Sequence, residues 1–418
     1  MIILRLIWES LNMALQTFSS NRLRSVLSLL GITIGIFAII SVFTIVDSLE
    51  KNIRESVSSL GSNVLYIEKW PWAPEEGEEY AWWKYLNRPQ ASYEEYEHIE
   101  RTSQLATEAC FVTMSNRTLT YENNRADDIS LFGVSDGFQD IRSFEIKSGR
   151  YFSPFEAAGG SNIAVLGSDL AGELFQQVDP VGKEIEISGH KVNIVGVMRK
   201  QGKGTFDNNN LDEVVVLPIH FIKRFVDIRS GRASPQIWVM SRPGVSVDEL
   251  RDEMRFILRS YRRLKPTEED TFAVNQTSII NNQLDQVFKV INIAGFFIGI
   301  FSIIVGGFGI ANIMFVSVKE RTHVIGIQKA IGAKRFFILM QFLFEAIILS
   351  LVGGIVGLLL IGGGALLVNY MGEFTLYLTM GNVILGLVIS SVIGLVSGFA
   401  PAYQAARMDP VVAINTTF

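Results

Sequence analysis

The chain has 418 residues, of which 48% are hydrophobic and only 19% are charged, and its formal net charge at pH 7 is -5. So large an apolar share is typical of a protein that places part of its chain in lipid. The small net charge is not the signature of a nucleic-acid-binding protein, so we expect no nucleic-acid partner. The single cysteine, Cys110, excludes an intramolecular disulfide.

Four apolar runs, each long enough to cross a bilayer as a helix, divide the sequence. They predict spanning helices at residues 25–46, 286–318, 336–368 and 383–402, and residues 1–24 alternate as an amphipathic helix on the membrane surface does. Basic residues flank the runs on one side, so the positive-inside rule places both termini and residues 319–335 in the cytoplasm. Residues 47–285 and the short loop 369–382 then lie outside.

Residues 47–285 have the composition of a soluble domain and read as alternating strands and helices. Ser92 is a predicted helix cap, and Ser188, Gly189 and His190 are a predicted hairpin turn. The strand-helix-strand order of residues 47–135 resumes at residues 233–285, so we predict one α+β module split by an inserted subdomain at residues 136–232. The fold class is therefore an α-helical membrane protein with four transmembrane helices and an α+β extracytoplasmic domain inserted between the first and second.

The segment at residues 70–89 is unusual because it concentrates tryptophan among glutamates and prolines. It holds four of the six tryptophans, namely Trp70, Trp72, Trp82 and Trp83. Aromatic side chains in an acidic loop are typical of a partner-binding surface, or of rings at a headgroup layer. The alternative is that the rings pack onto their own domain, since large aromatic side chains rarely stay exposed.

Small residues recur in the apolar runs at the spacing that lets two helices approach closely in lipid. The alternative is that glycine is simply common in spanning helices. We predict close helix packing, within the chain or across a dimer, at Gly31, Gly35, Gly295, Gly299, Gly306, Gly394 and Gly398.

The sequence offers no recognisable catalytic chemistry. It contains no phosphate-binding G-x-x-x-x-G-K-[ST] motif and no G-x-S-x-G nucleophile elbow, so we expect this chain not to be an enzyme. The histidines His98, His190, His220 and His323 lie in different elements with no acidic or thiol residue at i+4, so we predict no metal site and no cofactor. The nearly uncharged spans also disfavour passage of a polar solute between them.

Residues 319–335, which we call the elbow, connect the second and third apolar runs. Within the elbow, Val324, Ile327 or Gln328, and Ile331 recur at helical spacing, while Arg321, Lys329 and Lys334 fall on other faces. Such a helix suits a groove on another protein. It would equally suit a lipid headgroup layer, and periodicity does not separate the two. Glu345, in the third run, lies either at interface depth or beside a basic partner.

Four stretches of the chain carry a recognisable pattern. In order, they are NRLRSVLSLLGITIGIFAII, then GRYFSPFEAAGGSNIAVLG with DPVGKEIEISGHKVNIVGVMRK, then SVKERTHVIGIQKAIGAKRFFILMQFLFEA, and FAPAYQAARMDPVVAI. Together they resemble the permease subunits of MacB-type and FtsX-like ABC transporters, the type VII mechanotransmission family. One departure is His323, which stands where the family usually has an acidic residue before Ile-Gly.

The resemblance implies a homo- or heterodimer of permeases that binds two copies of a separate cytoplasmic ATPase, which holds the ATP and Mg²⁺. The MacB fusion type carries its ATPase at the N-terminus, whereas this chain starts at the membrane, so we expect the ATPase to be another polypeptide. The split outer module would correspond to a porter-like lobe and an inserted lobe. The elbow would be the coupling element, through Glu320, Arg321, His323, Val324, Ile327, Ile331 and Lys334.

Three functions fit this resemblance. The first is export or efflux from the periplasm or outer leaflet of a bacterial inner membrane, with a periplasmic adaptor and an outer-membrane duct as further partners. The second is an FtsX-like regulator that activates an extracytoplasmic partner, with the tryptophan-rich segment as its docking site. The third is a lipoprotein-releasing permease.

Overall fold

The computed structural model describes residues 22–58, 60–74, 79–176, 178–201, 211–372 and 375–415. Nearly all of the amphipathic helix predicted at residues 1–24 lies outside these ranges. The chain divides into two compact units, described separately below. The sheet domain is Asn52–Asp285, and the membrane unit is the remainder of the chain on either side of it.

The helices and strands alternate along the sheet domain and give way to long helices at both ends of the chain. In chain order the elements are α1 (Arg22–Ser58), β1 (Val64–Glu68), a 3-10 turn (Trp82–Tyr85), α2 (Tyr93–Thr102), β2 (Ala106–Tyr121), β3 (Asn124–Val134), α3 (Phe138–Arg142), β4 (Ile146–Gly149), α4 (Pro154–Gly159), β5 (Ile163–Leu166), α5 (Ser168–Phe175), β6 (Glu184–Ile187), β7 (His190–Met198), a 3-10 turn (Leu211–Glu213), β8 (Val214–Pro218), α6 (Ile219–Ile222), a 3-10 turn (Gly231–Ala233), β9 (Gln236–Ser241), α7 (Val247–Tyr261), β10 (Ala273–Gln276), α8 (Thr277–Glu320), α9 (Thr322–Ala330), α10 (Arg335–Met371), α11 (Met380–Arg407) and α12 (Pro410–Asn415).

Within the residues that the structure describes, four helices are long and apolar enough to cross a membrane, namely α1 from Leu30 onward, α8, α10 and α11. The sheet domain follows the first of them in the chain. The predicted fold class, four spanning helices with a domain inserted after the first, is confirmed. Each helix is longer than the apolar run that predicted it, because polar turns at the ends of the runs continue the helix, as in the 44 residues of α8.

The strands of the sheet domain form one ten-stranded mixed sheet in the order β10-β1-β9-β2-β3-β8-β5-β7-β4, with β6 beside β2 and β7. Residues 47–135 and 233–285 supply one end of this order, and residues 136–232 supply the other. The two ends meet where β3 runs parallel to β8, with Leu131 opposite Val215. The segments predicted as two lobes are therefore joined by a continuous hydrogen-bonded sheet.

Both faces of the sheet are buried at strands β1, β5 and β8, so alternate residues of these strands enter different cores. In β1, Leu65 and Ile67 face a core that includes residues of α2, α5 and α7. Val64 and Tyr66 face the opposite core, which includes residues of α3 and α4. Helices on both sides explain why these strands read as nearly continuous apolar runs.

The predicted local signals of the sheet domain agree with its structure. Ser92 accepts from the backbone N–H of Glu95 while the Glu95 side chain accepts from the backbone of Ser92, which confirms the predicted cap of α2. Ser188 and Gly189 join β6 to β7 with φ of 50° and 80°. Two successive left-handed residues are the geometry of a tight two-residue hairpin turn, so the predicted hairpin is confirmed.

Candidate functional site

The elbow folds as the short helix α9, which begins immediately after α8 and has defined ends. At its start, Thr322 Oγ1 donates to the carbonyl oxygens of Val318 at 3.1 Å and Lys319 at 2.9 Å. At its end, Gly332 has φ of +101°, and its N–H donates to Lys329 O while that of Ala333 donates to Gln328 O. This is a Schellman motif, which favours glycine because its left-handed position disfavours a Cβ. The sequence K-A-I-G-A therefore ends the elbow helix at a fixed residue.

One face of α9 is buried against the C-terminal helix α12. Ile325 is buried, and a Cβ added at Gly326 would lie 2.9 Å from Ile414 Cγ1 and 3.0 Å from Ala413 Cβ. Only a residue without a side chain allows this approach. The contact could not be predicted from the sequence, because nothing in the apolar segment around residue 413 indicates which element it covers.

Lys329 fixes the same helix to the end of α11. Its Nζ donates to the carbonyl oxygen of Ala406 at 2.8 Å and to that of Met408 at 2.5 Å. The last carbonyls of a helix have no intrahelical partner, and they carry the negative end of the helix dipole, so an ammonium is a favourable cap there. Burial, with a contribution from the nearby Arg335, lowers the pKa of Lys329. The sequence did not predict this role, because Lys329 is one of several cations in the elbow and nothing in the sequence distinguishes it from the others.

Glu345 is a buried carboxylate that contacts the start of the elbow. It lies on α10 with only 1% of its surface exposed, and its Oε2 is 3.2 Å from Nη1 of Arg321, the residue between α8 and α9. Ser317 on α8 donates to the other carboxylate oxygen at 3.4 Å. The sequence predicted that Glu345 lies either at interface depth or beside a basic partner, and the structure places it beside the basic Arg321. The pair joins α8, α10 and the start of the elbow helix.

The opposite face of α9 is apolar and exposed. Val324, Ile327 and Ile331 are 52%, 40% and 81% exposed, and they follow one another at a spacing of three and four residues. His323 is exposed at the start of the helix, and Lys334 is exposed just before α10. The structure thus brings Val324, Ile327 and Ile331 together as one surface, which we call the coupling face. Gln328, the other candidate for the apolar stripe, is half-buried.

Most of the glycines predicted to pack helices do so inside the membrane unit. A Cβ at Gly398 would lie 2.3 Å from Ala346 Cβ, and one at Gly394 would lie 2.8 Å from Ile347 Cα, so α10 and α11 approach closely. A Cβ at Gly35 would be 3.0 Å from the carbonyl oxygen of Ser302. The remaining members face side chains or backbone of the neighbouring helix, namely Gly295 against Val42, Gly299 against Ile39 and Gly306 against Ile32.

Gly31 differs, because a Cβ there would meet no atom within 4 Å. That Gly31 packs closely against a helix stays a prediction, and the helix would belong to a partner protomer.

The tryptophans of the 70–89 segment fall into two pairs. The Trp72 ring packs against the Tyr66 ring with 5.0 Å between the ring centroids, and its Nε1 donates to Glu68 at 2.5 Å. Trp70 is also partly buried. Trp82 and Trp83 lie on the 3-10 turn and are 54% and 60% exposed. One pair therefore packs onto its own domain, and the other is available at the surface.

Comparison with known proteins gives matches over nearly the whole chain. Residues 25–257 match the model of the MacB-like periplasmic core domain, and residues 296–410 match that of the FtsX-like permease C-terminal region. The uncharacterized ABC transporter permease YknZ of Bacillus subtilis is 31% identical over 97% of this chain and 98% of its own length. The macrolide export ATP-binding/permease protein MacB of Neisseria gonorrhoeae is 30% identical over 97% of this chain but only 60% of its own length.

MacB of Bdellovibrio bacteriovorus shows the same proportion, with 29% identity over 61% of its length, so the chain spans about three fifths of these MacB relatives. Among solved structures, the periplasmic region of MacB from Actinobacillus actinomycetemcomitans is similar to 56% of the chain, with a TM-score of 0.44 and 15% identity.

Four spanning helices, a domain inserted after the first and a helical elbow between the second and third define a permease of FtsX-like architecture. With both family models matched in order, the chain belongs to the MacB-like, FtsX-type permeases of ABC transporters, which confirms the resemblance.

The buried pair Arg321–Glu345 gives the first testable prediction. Arg321→Met removes a cation 3.2 Å from a buried carboxylate, whereas the double variant Arg321→Met with Glu345→Gln also removes the charge left behind. Removing one partner of an ion pair that holds a buried carboxylate is costly, so we expect the two substitutions to be coupled by about 1–3 kcal/mol. Denaturant unfolding of the full chain in mixed micelles measures the cycle.

Arg335→Met is the matched control, because Arg335 is an exposed cation of the same end of the membrane unit. We expect it to change the free energy of unfolding by less than about 0.5 kcal/mol. Strictly additive effects of the Arg321 and Glu345 substitutions would contradict the assigned interaction.

Proposed function

We propose that this chain is the membrane subunit of an ABC transporter in which a separate cytoplasmic ATPase drives movement of the extracytoplasmic domain. Two copies of the chain, or this chain with a related permease, would assemble with two ATPase subunits that bind ATP and Mg²⁺. Family membership supports this proposal, since coupling to an ATPase is typical of such permeases.

The coupling face is the observation that carries the proposal. An apolar surface on a helix is suited to a groove of a partner protein when the helix itself cannot move away from its own chain. Here the other sides of α9 are attached to α12 through Gly326 and to α11 through Lys329. A push on the coupling face would therefore be passed to the spanning helices.

The charges of the elbow favour the cytoplasmic side of a bacterial inner membrane for this face. The elbow is short enough for the positive-inside rule, and its cations are Lys319, Arg321, Lys329, Lys334 and Arg335. Both chain termini would then be cytoplasmic and the sheet domain extracytoplasmic.

Export or efflux from the outer side of the membrane is the transport activity that we propose. The spanning helices carry few polar groups along their length, which favours a machine that moves its outer domain over one that conducts a polar solute between helices. MacB relatives are named for macrolide export. A periplasmic adaptor and an outer-membrane duct would complete such an exporter.

The second prediction concerns the coupling face. Ile327→Asp with Ile331→Asp places two charges on the surface that would be desolvated by the ATPase. We expect loss of co-purification with the partner ATPase, and loss of at least about tenfold in permease-stimulated ATP hydrolysis. Measurement is by pull-down and by ATPase assay in lipid nanodiscs.

Phe155→Asp is the control, because Phe155 is equally apolar and 90% exposed but lies in the sheet domain. It should leave ATPase association unchanged. If the double elbow variant retains both association and stimulated hydrolysis, the coupling face is wrongly assigned.

An FtsX-like regulator is the second candidate function, and the exposed pair Trp82 and Trp83 favours it. Exposed tryptophans are rare on a domain surface and frequent among residues that dominate protein interfaces. In this case the transporter architecture would activate an extracytoplasmic hydrolase docked on the 3-10 turn. A lipoprotein-releasing permease has the same architecture and stays an alternative.

The third prediction separates these functions. Trp82→Ser with Trp83→Ser removes the exposed rings and leaves Trp72 in its place beside Tyr66. We expect a photo-crosslinker at Leu86, an exposed neighbour, to capture an extracytoplasmic hydrolase in the parent chain and not in the double variant. ATPase association should be retained in both. If the parent chain and the double variant capture the hydrolase equally, the exposed tryptophans are not its docking site. The regulator function would then lose the observation that favours it.

A further inference from the structure

One face of α11 carries two exposed aromatic rings that lead to a cation. Phe399, Tyr403 and Arg407 follow one another at a spacing of four residues, so they lie on the same face of the helix. The rings of Phe399 and Tyr403 are stacked, with 6.0 Å between their centroids and 18° between their planes. The guanidinium carbon of Arg407 lies 4.6 Å from the centroid of the Tyr403 ring. We call these three residues the aromatic ladder.

In the described part of the membrane unit, the aromatic ladder is an open surface. Phe399 is 50% exposed, Tyr403 is 41% exposed, and Arg407 is exposed as well. The same face continues along the helix with Val392 and Val396, which are 54% and 65% exposed. The opposite face of α11 is the one that packs closely against α10. An accessible apolar track about 22 Å long therefore leads to Arg407.

Arg407 brings a positive charge that its surroundings do not neutralise. In the part of the chain that the structure describes, it forms no ion pair with a carboxylate. Asp409 lies two residues further on, and its Oδ1 accepts from the backbone N–H of Val411 at 2.9 Å. Lys329 donates to the carbonyl oxygens on both sides of Arg407, and Arg335 is near enough to contribute to the lowered pKa of Lys329. The three cations at this end of α11 thus outnumber Asp409.

The length of α11 brings the aromatic ladder to the edge of a bilayer. Its 28 residues extend over about 42 Å, whereas the hydrocarbon core of a bilayer is about 30 Å thick. The last turn, with Arg407, therefore reaches the headgroup layer, and Phe399 lies at the depth of the acyl chains. Tyr403 stands between them, and tyrosine rings favour this boundary. The order of apolar ring, amphipathic ring and cation follows the order of a phospholipid from acyl chain to phosphate.

We propose that the aromatic ladder binds one anionic phospholipid. The phosphate accepts charge-assisted hydrogen bonds from the guanidinium of Arg407, and one acyl chain lies along Phe399 and the valines of α11. A guanidinium stacked on a ring keeps the N–H groups at its edge free to donate, and it binds phosphate through paired hydrogen bonds. The contact with Tyr403 restrains the guanidinium before the lipid binds, so less side-chain freedom is lost.

A lipid in this position would occupy the end of α11 to which Lys329 attaches the elbow helix. Such a site requires only that α11 spans a membrane, and it is independent of the ATPase and of the transported substrate.

Native mass spectrometry of the full chain, released from detergent micelles, measures this binding. The probes are dioleoylphosphatidylglycerol, which is anionic, and dioleoylphosphatidylcholine, which has the same acyl chains and no net charge. We expect the parent chain to bind one phosphatidylglycerol per chain at least about fivefold more tightly than phosphatidylcholine. Free glycerol phosphate, which has no acyl chain to place on the apolar track, should not displace it.

Two substitutions separate the charge from the apolar track. Arg407→Met should weaken phosphatidylglycerol binding by at least about fivefold, whereas Arg407→Lys, which keeps the positive charge, should weaken it less. Phe399→Ala removes a ring that the acyl chain contacts and should weaken the binding of both lipids.

Lys289→Met is the matched control, because Lys289 is an exposed cation of the membrane unit that lies on α8. It should bind phosphatidylglycerol as the parent does. If Arg407→Met is unstable in detergent, the affinities of Arg407→Lys and Phe399→Ala decide the assignment. Equal binding of the two lipids, parent affinity in Arg407→Met or Phe399→Ala, or displacement by glycerol phosphate would overturn it. So would efficient disulfide formation between two chains that carry Phe399→Cys, because the aromatic ladder would then be an interface between copies.

Discussion

The elbow helix α9 exposes one apolar face to solvent because its remaining sides are held against the other helices of the membrane unit. Lys329 caps the carbonyls at the end of α11, Gly326 admits α12 to van der Waals contact, and Arg321 reaches the buried carboxylate of Glu345 on α10. The Lys329 and Arg321 contacts each satisfy a group that would be costly to leave alone in a buried position. A helix as short as α9 would be only marginally stable by itself. Together these contacts hold it in one position, so that it presents a rigid surface.

The sheet domain is built to respond as one body. Its described strands form a continuous hydrogen-bonded sheet, and strands β1, β5 and β8 are covered on both faces by separate apolar cores. Close-packed interiors transmit displacement instead of absorbing it. The inserted residues 136–232 extend this sheet, so movement of one end is carried to the other.

Sequence patterns predicted the features that are local or are imposed by lipid. The four spans, the cap at Ser92 and the turn at Ser188 each depend on a few consecutive residues. The contacts that hold the elbow helix against the rest of the membrane unit could not be predicted in this way. Lys329 and Ala406, for example, are 77 residues apart, and no pattern in either segment indicates the other. The continuous sheet escaped prediction for the same reason, since the pairing of β3 with β8 joins segments that the chain order separates.

The central claim is that the exposed apolar face of the elbow is covered by an ATPase. Cys110 is the single cysteine of the chain, it is buried, and burial raises the pKa of its thiol, so it gives little background in thiol labelling. The most direct measurement is therefore the rate of maleimide labelling of Ile331→Cys in membranes, with and without the partner ATPase. We predict rapid labelling of the chain alone and strong protection in the complex, whereas equal labelling rates in the two samples would contradict the claim.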